Sequence, residues 1–182
     1  MKFTPLSIAG AFRVDIEKRE DERGFFARTF CAHEFADHGL EMTFVQMNTS
    51  VTRKVGSVRG MHFQRPPKAE VKFIRCVRGA VFDVIVDLRE ESPTFGRWQA
   101  TELTGDNRAM LYVPKGCAHG FQTLEDDTEL FYLHSEFYSP EHEGGLRFDD
   151  PDVGIVWPLP IAEMSPRDRQ HPFLSQVGSI RS

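Results

Sequence analysis

The chain is predicted to be all-β, an antiparallel jelly-roll barrel with short peripheral helices, on three observations. Between Phe73 and Leu133, runs rich in Val, Ile, Phe and Tyr recur at short intervals. Turn signals punctuate them at Arg78-Gly79, Ser92-Pro93, Gly105-Asp106-Asn107, Lys115-Gly116 and Asp126-Asp127. Regular short strands with such punctuation close into barrels or sandwiches. Finally, Val58-Arg59-Gly60-Met61-His62-Phe63-Gln64 and Tyr112-Val113-Pro114-Lys115-Gly116-Cys117-Ala118-His119-Gly120-Phe121 each set one His at a Gly-marked turn. Polar groups in that position face the mouth of a small barrel.

Taken in order, the N-terminal stretch carries Phe3, Ile8, Phe12, Val14 and Ile16, apolar enough to need a covering surface. The segment Asp21-Glu22-Arg23-Gly24-Phe25-Phe26 reads as a loop serving as a lid or ligand arm. Ala32 to His38 reads as a short helix stopped by Gly39. Strands are expected at Val71 to Val77, Ala80 to Leu88, Trp98 to Leu103, Met110 to Val113, Phe121 to Leu124 and Glu129 to His134. Alternation along a strand puts Lys72, Ile74 and Cys76 on one face, and Leu130, Tyr132 and His134 on another. Lys72 and Tyr132 are therefore expected to point into the barrel. From Asp149 onward, Pro151, Pro158, Pro160 and Pro166 with Trp157 predict extended and turn conformations crossing the barrel. The 182 residues suit one domain, with an arm to about residue 45, a barrel over about 46–145 and an extension over about 146–182.

A formal charge of -5 and a pI near 5.8 exclude the clustered basic surface that a nucleic-acid partner requires. No apolar run approaches the roughly 18 residues that span a bilayer, so no membrane partner is expected. Cys31, Cys76 and Cys117 have no C-x-x-C spacing and are odd in number, which fits a reducing, cytoplasmic compartment.

The segment Pro114-Lys115-Gly116-Cys117-Ala118-His119 fits the second short motif of cupin-type barrels. The first motif of metal-binding cupins needs two His one residue apart with a carboxylate, because a divalent ion wants three or four converging ligands. Here it reads His62-Phe63-Gln64, so the second imidazole is missing, and neither a metal nor another cofactor is expected. The polar set His62, Lys72, His119 and Tyr132 suits proton transfer beside a carbonyl. An imidazole can take an α-proton, an ammonium can hold the enolate oxygen, and a phenol can return a proton to the opposite face. Opposed base and acid invert a stereocentre.

These residues lie in a wider pattern: Asp21 to Phe26, Arg59-Gly60-x-His62-x-Gln64, Val81-Phe82-Asp83-Val84, Asp87-Leu88-Arg89, Ser92-Pro93-Thr94-Phe95-Gly96, Pro114 to Phe121, Tyr138-Ser139-Pro140-Glu141-His142-Glu143, Asp149-Asp150-Pro151 and Trp157-Pro158-Leu159. The pattern resembles the dTDP-4-dehydrorhamnose 3,5-epimerases, a metal-free cupin-fold family acting on a nucleotide-linked 4-keto-6-deoxyhexose in L-rhamnose synthesis. The resemblance implies that His62 is the general base held by Asp168, that Tyr132 is the acid on the other face, and that Lys72 steadies the enolate. It implies that Arg23 and Arg59 bind the diphosphate, and that Gln46, Asn48, His119 and Glu143 position nucleotide and sugar. Tyr138 would stack on the base, and Arg167 would approach the ligand. It also implies a homodimer with an exchanged N-terminal strand. Arg28 and Met47 stand where the family commonly carries Glu and Asp, which changes the charge offered to the nucleotide. Alternatives are a C3-only or C5-only epimerase, a CDP-linked or other nucleotide-linked ketosugar, a metal-dependent cupin enzyme, and a catalytically silent sugar-nucleotide-binding protein. His33, His38, His134, His142 and His171 read as surface or structural histidines.

Overall fold

The computed structural model describes residues 1–181. Two antiparallel sheets face each other as a jelly roll. The larger, six-stranded sheet runs in the order β1 (Lys2–Pro5), β2 (Phe12–Asp15), β10 (Met110–Val113), β7 (Lys72–Arg78), β12 (Thr128–His134), β5 (Gln46–Thr52). The five-stranded sheet runs β13 (Glu143–Gly145), β6 (Val58–Gln64), β11 (Cys117–Thr123), β8 (Ala80–Asp87), β9 (Trp98–Thr104). The six strands placed from the sequence form as β7 to β12, with one shift: β11 begins at Cys117, so His119 sits inside a strand rather than at a turn; the other described strands are additional to them.

Three apolar layers follow from strand alternation. Between the sheets, Ile74, Cys76, Leu111 and Leu130 meet Val81, Ile85, Leu103 and Phe121. The outer face of the large sheet, with Phe3, Phe12, Phe73, Met110 and Tyr112, is covered by Phe35 of α1 (Ala32–Asp37). The outer face of the small sheet, with Met61, Phe63, Val84 and Val86, is covered by Val153, Trp157, Val177 and Ile180 of the tail.

Three expectations need correction. Asp21 to Phe26 forms most of a hairpin, β3 (Arg19–Asp21) against β4 (Gly24–Phe26), in which Gly24 at φ +126° takes a conformation that a side chain would strain. The tail is not wholly extended, because it contains single-turn helices α2 (Pro166–Arg169) and α3 (Leu174–Val177). Phe3, Ile8, Phe12, Val14 and Ile16 pack within their own chain, where β1 pairs with β2 and β2 with β10, so they give no support to an exchanged strand. None of the described helices is long and apolar enough to cross a membrane.

Strands β6 and β11 approach each other unusually closely. A Cβ on Gly120 would lie 2.6 Å from Met61 Sδ and 2.7 Å from the Arg59 carbonyl oxygen, and one on Gly60 would lie 2.7 Å from Gly120 Cα. The register shifts between His119 and Phe121, as at a bulge, and leaves His119 directly opposite His62.

Candidate active site

A cavity of about 1090 Å³ opens between the sheets and is lined by Asn48, Arg59, His62, Lys72, His119, Tyr132, Arg167 and Asp168. His62 and His119 come from the small sheet, and Lys72 and Tyr132 from the large one. A smaller adjoining cavity of about 180 Å³ adds Gln46, Tyr138 and Glu143. Alternation works as expected: Lys72, Ile74 and Cys76 all face inward, as do Leu130 and Tyr132.

Asp168 reaches the site because Ser165-Pro166 starts α2. The Ser165 hydroxyl caps the helix by accepting from Asp168 N–H at 3.0 Å, and Pro166 occupies a first-turn position where no N–H is needed. The Asp168 carboxylate then accepts from His62 Nε2 at 2.8 Å and from the Gly60 N–H at 3.1 Å. Burial alone would raise this carboxyl, but the neighbouring His171 imidazole and the hydrogen bonds from His62 and the Gly60 N–H more than offset it and hold Asp168 far below the usual carboxylate range. With Nε2 committed to an ionised carboxylate, Nδ1 of His62 is the nitrogen left to accept a proton.

Two further imidazoles that line the same space, His119 and His134, are each backed by a carboxylate. His119 Nε2 lies 2.8 Å from Asp83 Oδ1, both side chains being buried. Burial raises the Asp83 carboxyl and lowers the His119 imidazole, so this pair is driven toward a form that shares one proton without net charge. His134 Nδ1 lies 2.7 Å from Glu70 Oε2, whose other oxygen is 3.4 Å from Lys72 Nζ. Burial would raise Glu70, but Lys72 and His134 outweigh it and keep it ionised. Lys72 Nζ also donates to the His62 carbonyl at 3.3 Å, which fixes an ammonium at the cavity wall. Tyr132 lies with its ring centroid 6.2 Å from that of His119 and 6.0 Å from that of His134. Burial pushes its phenol well above the usual value, so it stays protonated and able to donate.

At the cavity's edge, Tyr138 Oη donates to Glu143 Oε2 at 2.7 Å, and Arg167 pairs with Glu143 Oε1 at 2.5 Å. Gln46 accepts from the Tyr138 N–H at 3.1 Å and donates to Asn48 at 3.3 Å. Arg59 is aimed by Thr52 Oγ1 at 2.8 Å and the Val51 carbonyl at 3.1 Å. Arg23 and Arg28 are the two expected site residues that line neither cavity. Arg23, 90% exposed, pairs with Asp21 in the β3–β4 turn, and Arg28 pairs with Glu34 of α1.

Glu70, Asp83, His134 and His171 were not singled out from the sequence as site residues. The first three had a signal: Asp83 shares inward parity with Val81 and Ile85 and His134 with Tyr132, and Glu70 lies two residues before Lys72, at the same parity just ahead of β7. His171 follows an irregular, Pro-rich tail in which no periodicity reports direction.

The site comprises a His–Asp base, a half-buried phenol from the opposite sheet, an ammonium that reaches the His62 carbonyl, and arginines at the entrance. Such a set can move protons beside a carbonyl of an anionic ligand. The family model described as dTDP-4-dehydrorhamnose 3,5-epimerase matches residues 5–176. The dTDP-4-dehydrorhamnose 3,5-epimerase of Sinorhizobium fredii is 43% identical over 178 residues, spanning 97% of this chain and 91% of the relative. The dTDP-4-dehydrorhamnose 3-epimerase of Streptomyces niveus is 40% identical over 178 residues, spanning 97% and 86%. The crystal structure of dTDP-6-deoxy-D-glucose-3,5-epimerase from Legionella pneumophila, in complex with dTDP-4-keto-L-rhamnose, superposes with a TM-score of 0.92 at 33% identity, covering 100% and 98%.

Proposed function

The chain belongs to the dTDP-4-dehydrorhamnose 3,5-epimerase family, and from that premise we propose that it inverts C3 and C5 of dTDP-4-dehydro-6-deoxy-D-glucose, giving dTDP-4-dehydro-L-rhamnose. It is an isomerase. His62 removes the proton α to the C4 ketone, and Asp168 stabilises the imidazolium that forms. Lys72 holds the C4 oxygen as it becomes an enolate oxyanion, a contribution whose loss costs on the order of 10²–10³ in rate. Tyr132 then donates its proton to the opposite face of the same carbon. At the end of each inversion His62 carries the substrate's proton and Tyr132 is a phenolate, so atoms and charge balance once those two groups are reset. The observation that carries this reading is the placement of His62 and Tyr132 on opposite sheets of one cavity that Lys72 also lines.

Binding follows the same assignment. Arg59 faces the diphosphate with a guanidinium fork that suits phosphate oxygens, and Arg167 approaches the ligand from α2. Gln46, Asn48, His119 and Glu143 position sugar and nucleotide, and Tyr138, 53% exposed, offers a ring for the base to stack on. The whole chain acts as one domain in a homodimer, and a reducing, cytoplasmic location suits the free Cys31, Cys76 and Cys117. The dimer is supported by unpaired surface: Phe26 is 73% exposed on the hairpin, and Met47 and Val51 are 65% and 50% exposed on β5, an edge strand. Arg23 and Arg28, away from their own chain's cavity, gain a ligand-binding role if that hairpin reaches the partner's site.

The test is NMR of dTDP-4-keto-6-deoxyglucose with the enzyme in deuterated water, following the C3 and C5 protons. Loss of both signals with inversion is expected, and His62→Asn is expected to abolish exchange while nucleotide binding persists. Loss of the C3 signal alone would put this chain with the Streptomyces niveus 3-epimerase instead. Exchange surviving in His62→Asn would remove His62 from the base role.

A further inference from the structure

Asp168 has a second imidazole beside it. His171 comes from the turn after α2, and its Nε2 lies 3.5 Å from Asp168 Oδ1, the oxygen that also receives His62 Nε2 at 2.8 Å. The two imidazole rings meet edge to face with centroids 5.5 Å apart. The His171 side chain is only 10% exposed, and its Nε2 is buried with no well-directed hydrogen-bond partner. The position is built rather than incidental, because the ring lies flat on Gly145 of β13, where any Cβ would overlap it. The other charged groups around the ring are His62 of β6, Arg65 just after it, Glu143 of β13 and Arg167 of α2; the last three border with His171 a cavity of about 620 Å³, and Glu143 and Arg167 also line the substrate cavities.

Building on the role of His62 as base, we propose that His171 is a positioning residue that shares the Asp168 carboxylate with His62 and so limits how tightly that carboxylate keeps a proton on the base. A carboxylate oxygen that faces two imidazole nitrogens, one at hydrogen-bond distance and one at 3.5 Å, divides its negative charge between them. When His171 is neutral, its Nε2–H draws on Asp168 Oδ1; when it is protonated, its charge also opposes the imidazolium of His62 directly. Both effects act with the same sign. Each favours the proton-free, working form of His62 at lower pH, and the Gly60 N–H on the other carboxylate oxygen keeps Asp168 from turning to follow either ring. His171 touches no reacting atom in this scheme. It sets the pH range in which the base is available.

The experiment is the pH profile of kcat/KM for solvent proton exchange in wild type, His171→Ala and His171→Gln, together with an NMR titration of the His62 Cε1–H signal in each ligand-free protein. His171→Ala is expected to move the acid limb and the His62 midpoint upward together by about 0.5–1 pH unit. His171→Gln keeps a donor to Asp168 but not the titratable charge, and should fall between Ala and wild type. A merely structural role would lower the rate equally at every pH and leave both midpoints in place, which would overturn the proposal, as would a downward shift. Should His171→Ala unfold, the same shifts read in His171→Gln decide the matter. His62→Asn run in parallel separates the failures: a profile without its acid limb in that variant but unmoved in the His171 variants overturns only the present inference, whereas near-normal exchange in His62→Asn overturns the base assignment beneath it.

Discussion

The chemistry rests on a few side chains whose surroundings differ sharply. Tyr132 is a phenol kept protonated by burial, so Tyr132→Phe is expected to leave proton loss to solvent measurable while inversion falls by about 10²–10⁴. NMR in deuterated water reads both from one sample. Asp168 works in the opposite sense. Its folded-state carboxyl lies well below the usual range, so the stability it contributes is complete above its unfolded value of roughly 4 and is lost as pH falls below that. Asp168→Asn should therefore flatten the acid side of a stability–pH curve measured by urea melts between about pH 5 and pH 2. It should also cost activity at neutral pH, where the amide can no longer stabilise an imidazolium. Lys72 and Tyr132 were legible in the sequence because strand alternation alone aims them inward. The same parity had already set His134 beside Tyr132, and extending it to Glu70 and Asp83 would have found a carboxylate of the cavity wall and the buried partner of His119. His171 had no such signal, since its direction depends on a helix of one turn and on the bare backbone at Gly145.

Among the elements, the tightest constraint is the crossing of β6 and β11 at Gly60 and Gly120. Substituting Gly120→Ala forces a methyl against Met61 Sδ and the Arg59 carbonyl, and is expected to destabilise the fold by about 1–3 kcal/mol, read as a lower urea midpoint with an unchanged slope. Because His62 and His119 flank this crossing, activity should fall further than the unfolded fraction explains. The strands from β7 to β12 were readable because apolar runs and turn residues alternate cleanly there. The start of β11 was not, because Pro114-Lys115-Gly116 looks like a turn that continues through Cys117-Ala118, whereas both residues are buried in the strand. The β3–β4 hairpin is mostly polar and exposed and offers no periodicity. Helices α2 and α3 are too short for a helical period to register, although Ser165-Pro166 is a recognisable start signal.

For the whole molecule, the exposed hairpin and the β5 edge predict self-association. Sedimentation velocity should return the mass of two 20.8 kDa chains, and Phe26→Asp should shift the distribution toward one. If Arg23 acts across that interface, Arg23→Ala should weaken nucleotide binding even though its guanidinium lies outside its own chain's cavity. The barrel and its site were largely legible in the sequence; the self-covering of the N-terminal strands was not, because apolar residues such as Ile8 and Val14 announce a need for cover without saying which surface supplies it. The two sheets also act as a gauge. Proton acceptor and proton donor hang from opposite walls, so the gap between those walls, about 10 Å between packed sheets, decides on which side of the sugar ring a returning proton can land. Stereochemical fidelity is then a mechanical property of the barrel. Loosening the layer of Ile74, Leu130, Ile85 and Phe121 should first show itself as carbons that exchange their hydrogen yet keep their original configuration, before any loss of overall turnover.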